Sequence, residues 1–230
     1  MATMTKGSVI VFSPHPDDET FGCGGTIARR ISEGFEVSIV ELTDGRFSLR
    51  MYGILSDPTP EEMKKVRRRE VQNVTKILGV KEQNLVFLDF EDGSLTLNEI
   101  SAEAKISSIF RHMQPSEVFF PSSKDVHPDH QVTNRLVRSA IAKSGKIMSK
   151  YEYSINSSFP RINLMLDSFM NLFTHRTLRV DISEFLDLKK TALNEYRSQI
   201  ALISSKQKKP ALSSSFLNMH LKEHELFYKA

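Results

Sequence analysis

Apolar residues along this chain come in short dense runs separated by amphipathic stretches. SVIVFS (8–13), EVSIVEL (36–42), NLVFLDF (84–90) and EVFFP (117–121) are β-branched or aromatic runs of strand length. The stretches between them carry helical signals. Residues 24–34 place Ile27 and Ile31 four apart and stop at Gly34; residues 60–79 open on Pro60 and Glu61 and end on Leu78-Gly79. Residues 98–113 offer Ile100, Ala104, Ile106, Ile109 and Phe110 for packing, and a helix over 129–143 follows the fourth strand. Strands alternating with helices predict an α/β fold with a mostly parallel sheet covered by helices on both faces.

The pattern loosens after about residue 145. YEYSI (151–155) and LRVDI (178–182) read as further strands, 156–175 is irregular, and 183–203 reads as a long helix with Ser183 as its N-cap. SSKQKKPALSSS (204–215) is polar, breaker-rich loop. No repeat or linker interrupts the chain, so a single domain over 1–230 is expected.

Composition narrows the class. Of 230 residues, 40% are hydrophobic and 26% charged, ordinary values for a globular protein. A net charge of +3 gives no electrostatic reason to expect nucleic acid or membrane as a partner. The single cysteine, Cys23, excludes an intrachain disulfide and a cysteine metal cluster and reads as a packing residue. MATMTKGSVIVF lacks the marks of a signal peptide, and no apolar run approaches the roughly 20 residues of a membrane span. The expected location is cytoplasmic. The apolar stretch 159–173 is a candidate surface for a second copy of the chain.

Ionisable residues concentrate at two places. HPDDE (15–19) follows the first strand directly, and KDVHPDH (124–130) follows the fourth. Ligands in open α/β sheets bind beyond the carboxyl ends of the strands, so the two clusters meet if those strands are neighbours. Histidine and carboxylate donors without thiolate suit zinc or a related divalent ion, with an open position for water. His15, Asp18 and His130 can supply two nitrogens and one oxygen, which leaves Asp17 as a base and His127 to face a substrate. Glu19 reads as a structural group beside the site. Gly22, Gly24 and Gly25 do not make a dinucleotide fingerprint, because position 27 is Ile27; close backbone passage explains them, in a turn that lets the chain clear the metal. KKVRRR (64–69) reads as a solvated helix surface apart from Arg67. His112, His175, His220 and His224 have no evident partner, and His220 and His224 read as an exposed helix face.

These motifs resemble the LmbE/PIG-L family of zinc-dependent N-deacetylases. The resemblance extends to Thr43-Asp44-Gly45, to Arg67 and Glu70 ahead of Leu78-Gly79, to Asp92-Gly93 and Leu95, and to Lys189, Ala192 and Ser198-Gln199. It covers roughly residues 8–200, and the segment 201–230 matches weakly. It implies a three-layer, Rossmann-like fold. It also implies removal of an acetyl group from an N-acetylated amino sugar or sugar conjugate of the N-acetylglucosamine type. The implied cofactor is one zinc ion per chain, with His15, Asp18 and His130 as ligands. Asp17 is the implied general base, His127 helps hold the oxyanion as a protonated donor, Asp129 helps orient it, and Arg67 contacts substrate.

The chain also departs from the family. Tyr196 stands where many members have a histidine, and it is expected to reach the substrate. The individual loop 46–60 offers Arg46, Arg50 and Tyr52 as specificity elements. A metal-dependent phosphoesterase, a non-sugar amidohydrolase and a binding module without activity are the alternatives. A phosphoesterase usually needs two ions, whereas the sequence offers one clean ligand set. Intact Asp17 and His127 weigh against a module without activity.

Overall fold

β1 (Ser8–Ser13) lies inside a seven-stranded sheet whose order is β3-β2-β1-β4-β5-β7-β6. The computed structural model describes residues 6–155 and 177–230. β2 (Glu36–Thr43), β3 (Leu85–Phe90), β4 (Glu117–Pro121) and β5 (Ser149–Tyr153) are the strands that run parallel with it. β7 (His224–Lys229) is antiparallel to both of its neighbours, β5 and β6 (Thr177–Asp181). The expected surface at 159–173 and His175 lie outside the described residues.

Alternation along each strand divides the core. Val9 and Val11 of β1 join Val37, Ile39, Phe119 and Phe227 on one face, under α1 (Asp18–Ser32), α2 (Pro60–Ile77) and α5 (Leu186–Leu193). Ile10 and Phe12 join Val40, Val118 and Phe120 on the other, under α3 (Glu99–Met113) and α4 (Pro128–Ser144). This is the three-layer α/β arrangement that the sequence predicts. α2 starts where Pro60 stands, with Thr59 and Glu62 forming a reciprocal capping box. No described helix is long and apolar enough to cross a membrane.

Several local expectations are corrected. α1 begins at Asp18 and takes Gly22, Gly24 and Gly25 into its interior rather than into a turn. A Cβ at Gly22 would collide with the Tyr153 ring and one at Gly25 with Ile182, so these glycines let the helix approach the sheet. In α3 Ile106, Ile109 and Phe110 pack as expected and Ala102 joins them, whereas Ile100 and Ala104 face solvent.

The expected helix over 183–203 is broken into a short 3-10 turn, α5 and α6 (Arg197–Ile200). The buried Glu70 carboxylate takes the Ser198 N–H at 2.7 Å and its hydroxyl at 2.6 Å, and so starts a new helix there. The loop 204–215 gives way at Ser214 to α7 (Ser214–His220), capped by Ser213. His220 ends that helix and His224 starts β7, so they do not share a helix face. The weakly matched segment thus supplies a strand flanked on both sides. Its Glu225 accepts the backbone N–H of Gly25 at 3.0 Å and of Thr26 at 2.8 Å, and pairs with buried Lys189 at 2.7 Å.

Candidate active site

β1 and β4 are parallel neighbours, with Val9 opposite Glu117 and Val11 opposite Phe119. The chain leaves β1 toward β2 on one side and leaves β4 toward β5 on the other. The crevice between their carboxyl ends is therefore the switch point of the sheet, and both His/Asp clusters open into it. The Pro14 carbonyl accepts the Thr43 N–H at 3.0 Å and its hydroxyl at 2.8 Å, which fastens the first cluster to β2. Asp17 sits at φ 139, a strained conformation for a side-chain-bearing residue, and caps α1.

Three donor atoms converge there. His15 Nδ1 lies 3.1 Å from Asp18 Oδ2, His130 Nε2 lies 3.0 Å from the same oxygen, and the two nitrogens are 3.3 Å apart. A tetrahedral zinc with bonds of roughly 2.0–2.1 Å needs donor atoms roughly 3.3 Å apart, so these residues fit such an ion. Their outer nitrogens are held by carboxylates. His15 Nε2 lies 3.2 Å from Asp129 Oδ2 and 3.3 Å from Asp92 Oδ1, and His130 Nδ1 lies 3.1 Å from Asp125 Oδ2. Such partners fix the protonated nitrogen on the outside and leave the lone pair facing inward. Asp129 is held in turn by the N–H groups of Gly93 at 2.8 Å and Leu95 at 3.3 Å, and Asp125 by that of Ile155 at 3.2 Å.

The charges follow from burial and proximity. Burial would raise the Asp18 carboxyl, but the charge and hydrogen bonds of His130 and His15 hold it well below the usual range. Burial disfavours charge on His130, yet Asp18 and Asp125 push its pKa up to about 9; burial opposes charge on His15 too, but Asp129, Asp18 and Asp92 hold it well above the ordinary histidine range. This carboxylate cage favours a cation at its centre, whether proton or metal. Asp17 behaves differently. Burial raises it to about 8, with Arg67 opposing and Asp18 and Glu19 adding to the rise. Arg67 Nη2 stands 3.3 Å from Asp17 Oδ2 and also donates to the Pro16 carbonyl. His127 is lowered by burial and by the neighbouring histidines. Its Nδ1 accepts the Asp129 backbone N–H at 3.2 Å, so the neutral ring carries its hydrogen on Nε2.

His15, Asp17, Asp18, Arg67, His127 and His130 all line one cleft of about 370 Å³. Two expected residues stand elsewhere. Tyr196 is fully buried and donates its hydroxyl to Glu19, whose other oxygen accepts the Asp17 N–H at 3.0 Å. The Asp129 carboxylate addresses His15 rather than the His127 ring. Of the individual loop, Arg46 is locked on Asp44 at 2.7 Å and Glu61 at 2.8 Å, and Tyr52 reaches the Pro210 carbonyl at 3.3 Å. Only Arg50 of these three enters the cleft lining. Asp92 and Asp125 gained no role from sequence, although both lie in the DG and KDVHPDH stretches singled out there.

Comparison with known proteins agrees with this architecture. Residues 10–141 match the family described as PIG-L, GlcNAc-PI de-N-acetylase. A probable N-acetyl-alpha-D-glucosaminyl L-malate deacetylase 2 of Bacillus cereus is 30% identical, over 83% of each chain. Diacetylchitobiose deacetylase of Thermococcus kodakarensis is 28% identical over 83% of this chain and 69% of its own. Among solved structures, the conserved protein TT1542 from Thermus thermophilus superposes with a TM-score of 0.66 at 27% identity, covering 96% of this chain and 94% of its own.

Proposed function

The chain belongs to the PIG-L family of GlcNAc-PI de-N-acetylases, and from that premise we propose that it removes the acetyl group from an N-acetylated amino sugar conjugate, with zinc held by His15, Asp18 and His130. It is a hydrolase of amide carbon–nitrogen bonds. The observation that carries the site assignment is the convergence of those donor atoms at 3.0–3.3 Å, with Asp17 and His127 lining the same cleft. The reading includes a single domain over 1–230 acting in the cytoplasm on a small-molecule sugar conjugate.

Bound there, zinc supplies a Lewis acid for the acetamide carbonyl and lowers the pKa of water toward about 7. The protein's own groups do the rest. Asp17 accepts a proton from the attacking water and returns it to the departing amine. Burial and the neighbouring carboxylates raise its affinity for a proton, which favours taking one from water. Arg67 holds the Asp17 carboxylate in place and opposes its neutralisation. His127 offers Nε2–H to the carbonyl oxygen as that oxygen gains charge. Since Nδ1 is already an acceptor, a neutral His127 suffices, and the protonated form expected from sequence is not needed. Asp129, Asp92 and Asp125 act as positioning residues through the two histidines.

The test is release of free amine and acetate in equal amounts from a panel of N-acetylglucosaminides. Activity should vanish on chelation and return with about one zinc per chain. No amine from any member by the metal-loaded protein overturns the reading. Phosphoester cleavage at a metal content near two per chain would replace it.

A further inference from the structure

The cleft carries one charge that this chemistry leaves unused. Its carboxylates are engaged: Asp17 by Arg67, Asp18 by His15 and His130, and Asp92 by His15 and the Phe47 N–H. Arg67 pairs in its turn with Asp17 and donates to the Pro16 carbonyl, and its buried Nε lacks a partner. Arg50 lines the same cleft, is exposed, and forms no ion pair among the described residues. Arg46, four positions earlier, differs in being clamped by Asp44 and Glu61.

Arg50 is also held in place. Its guanidinium lies 4.7 Å from the centre of the Phe47 ring, and the Phe47 N–H donates to Asp92 at 3.0 Å. The neighbouring Leu49 is buried against Ile54 and Met63, and the turn Arg50–Tyr52 is tied to the Pro210 carbonyl through the Tyr52 hydroxyl. The aspartate that steadies His15 thus also anchors the ring under Arg50. Around this cation the outer lining is largely apolar, with Met51, Ile155, Leu212 and Phe216. A neutral acetamido sugar gives the guanidinium no counter-charge. A planar guanidinium stacked on an aromatic ring presents paired donors to a carboxylate or phosphate with little rotamer freedom left to lose.

We infer that Arg50 is a specificity residue that binds an anionic group, carboxylate or phosphate, on the part of the substrate beyond the acetamido sugar. The inference rests on the deacetylase reading for the sugar. The anion contact is made equally in ground and transition states, so it acts on KM rather than on kcat. It weakens with salt because Arg50 is exposed.

The test compares N-acetylglucosaminides of a neutral alcohol, of a hydroxycarboxylic acid and of a phosphate-bearing alcohol, with wild type, Arg50→Gln and Arg50→Lys. Wild type should favour one of the anionic glycosides by about tenfold or more in kcat/KM, carried by KM and shrinking with added salt. The carboxylate and phosphate arms identify which anion it takes. In Arg50→Gln that ratio should fall to near one, and Arg50→Lys should retain part of it. Calorimetric binding of the same glycosides to the metal-free protein supplies the ratio without turnover. A wild-type ratio near one, or an Arg50→Gln ratio equal to that of wild type, overturns the inference, and amine release from the neutral glycoside leaves the deacetylase reading standing. If no glycoside is deacetylated, that reading fails, and the binding ratio in wild type and Arg50→Gln still decides the role of Arg50.

Discussion

The carboxylate of Asp129 lies 3.2 Å from Nε2 of His15, across 114 residues of sequence, and is itself held by the backbone of Gly93 and Leu95. The contact joins the two motifs through a side chain that does not line the cleft.

Asp129→Asn keeps the shape and removes the charge. Loss of a carboxylate that orients a metal-binding histidine typically costs about 10–100-fold in metal affinity. Metal titration should show that drop, with activity recovering at high zinc. A changed KM with unchanged metal affinity would mean that Asp129 faces substrate instead.

Asp17→Asn should lower kcat by about 10²–10⁴-fold and leave metal stoichiometry intact. Turnover and metal content, measured on the same preparation, check the two halves. Unchanged turnover would remove Asp17 from the role of base.

Tyr196→Phe should leave KM unchanged. The hydroxyl is buried and spent on Glu19, the residue that also accepts the Asp17 N–H, so its loss costs about 1–3 kcal/mol of folding stability. Urea unfolding and steady-state kinetics together check this. A raised KM with unchanged stability would put the tyrosine in the substrate site after all.

His220 packs against Phe21 and Phe216, and burial, with Lys189 adding, lowers its pKa to about 4. Its folded pKa is below the unfolded value of about 6.5, so the unfolded chain takes up the proton first. The stability of the neutral ring is fully present above about pH 6.5 and is lost as pH falls toward about 4, by up to roughly 3 kcal/mol. Urea midpoints between pH 4 and 7 should fall for wild type and fall less for His220→Phe.

Gly25→Ala places a Cβ against Ile182, and the misfit should cost about 1–3 kcal/mol. Thermal unfolding measures it. Ile182→Val in the same chain should return part of the loss.

Much of the fold and of the site is legible in the order of residues alone. β1, β2 and β4 read as dense, mostly apolar runs because both faces of an interior parallel strand are buried, and HPDDE and HPDH stand out because turns have no need of such side chains. What stays hidden depends on partners far away in sequence. Asp125 and Asp92 matter only through His130 and His15. The helical glycines make sense only beside Tyr153 and Ile182. The break at Tyr196 is imposed by Glu70, against a local sequence that favours helix. The destination of the Tyr196 hydroxyl is equally hidden, since nothing nearby in sequence announces Glu19.

The grip of Glu225 on Gly25 and Thr26 spans 200 residues. During synthesis, a nascent chain that has emerged only as far as β5 already contains His15, Asp17, Asp18, His127 and His130. It still lacks the carboxylate that fastens the helix bearing Asp18, and it lacks β7, the strand that joins β6 to the sheet. On the proposed reading, the helix that carries Asp18 has its Glu225 bonds only once β7 is in place, so the support of the centre is divided between two strands at opposite ends of the residue order.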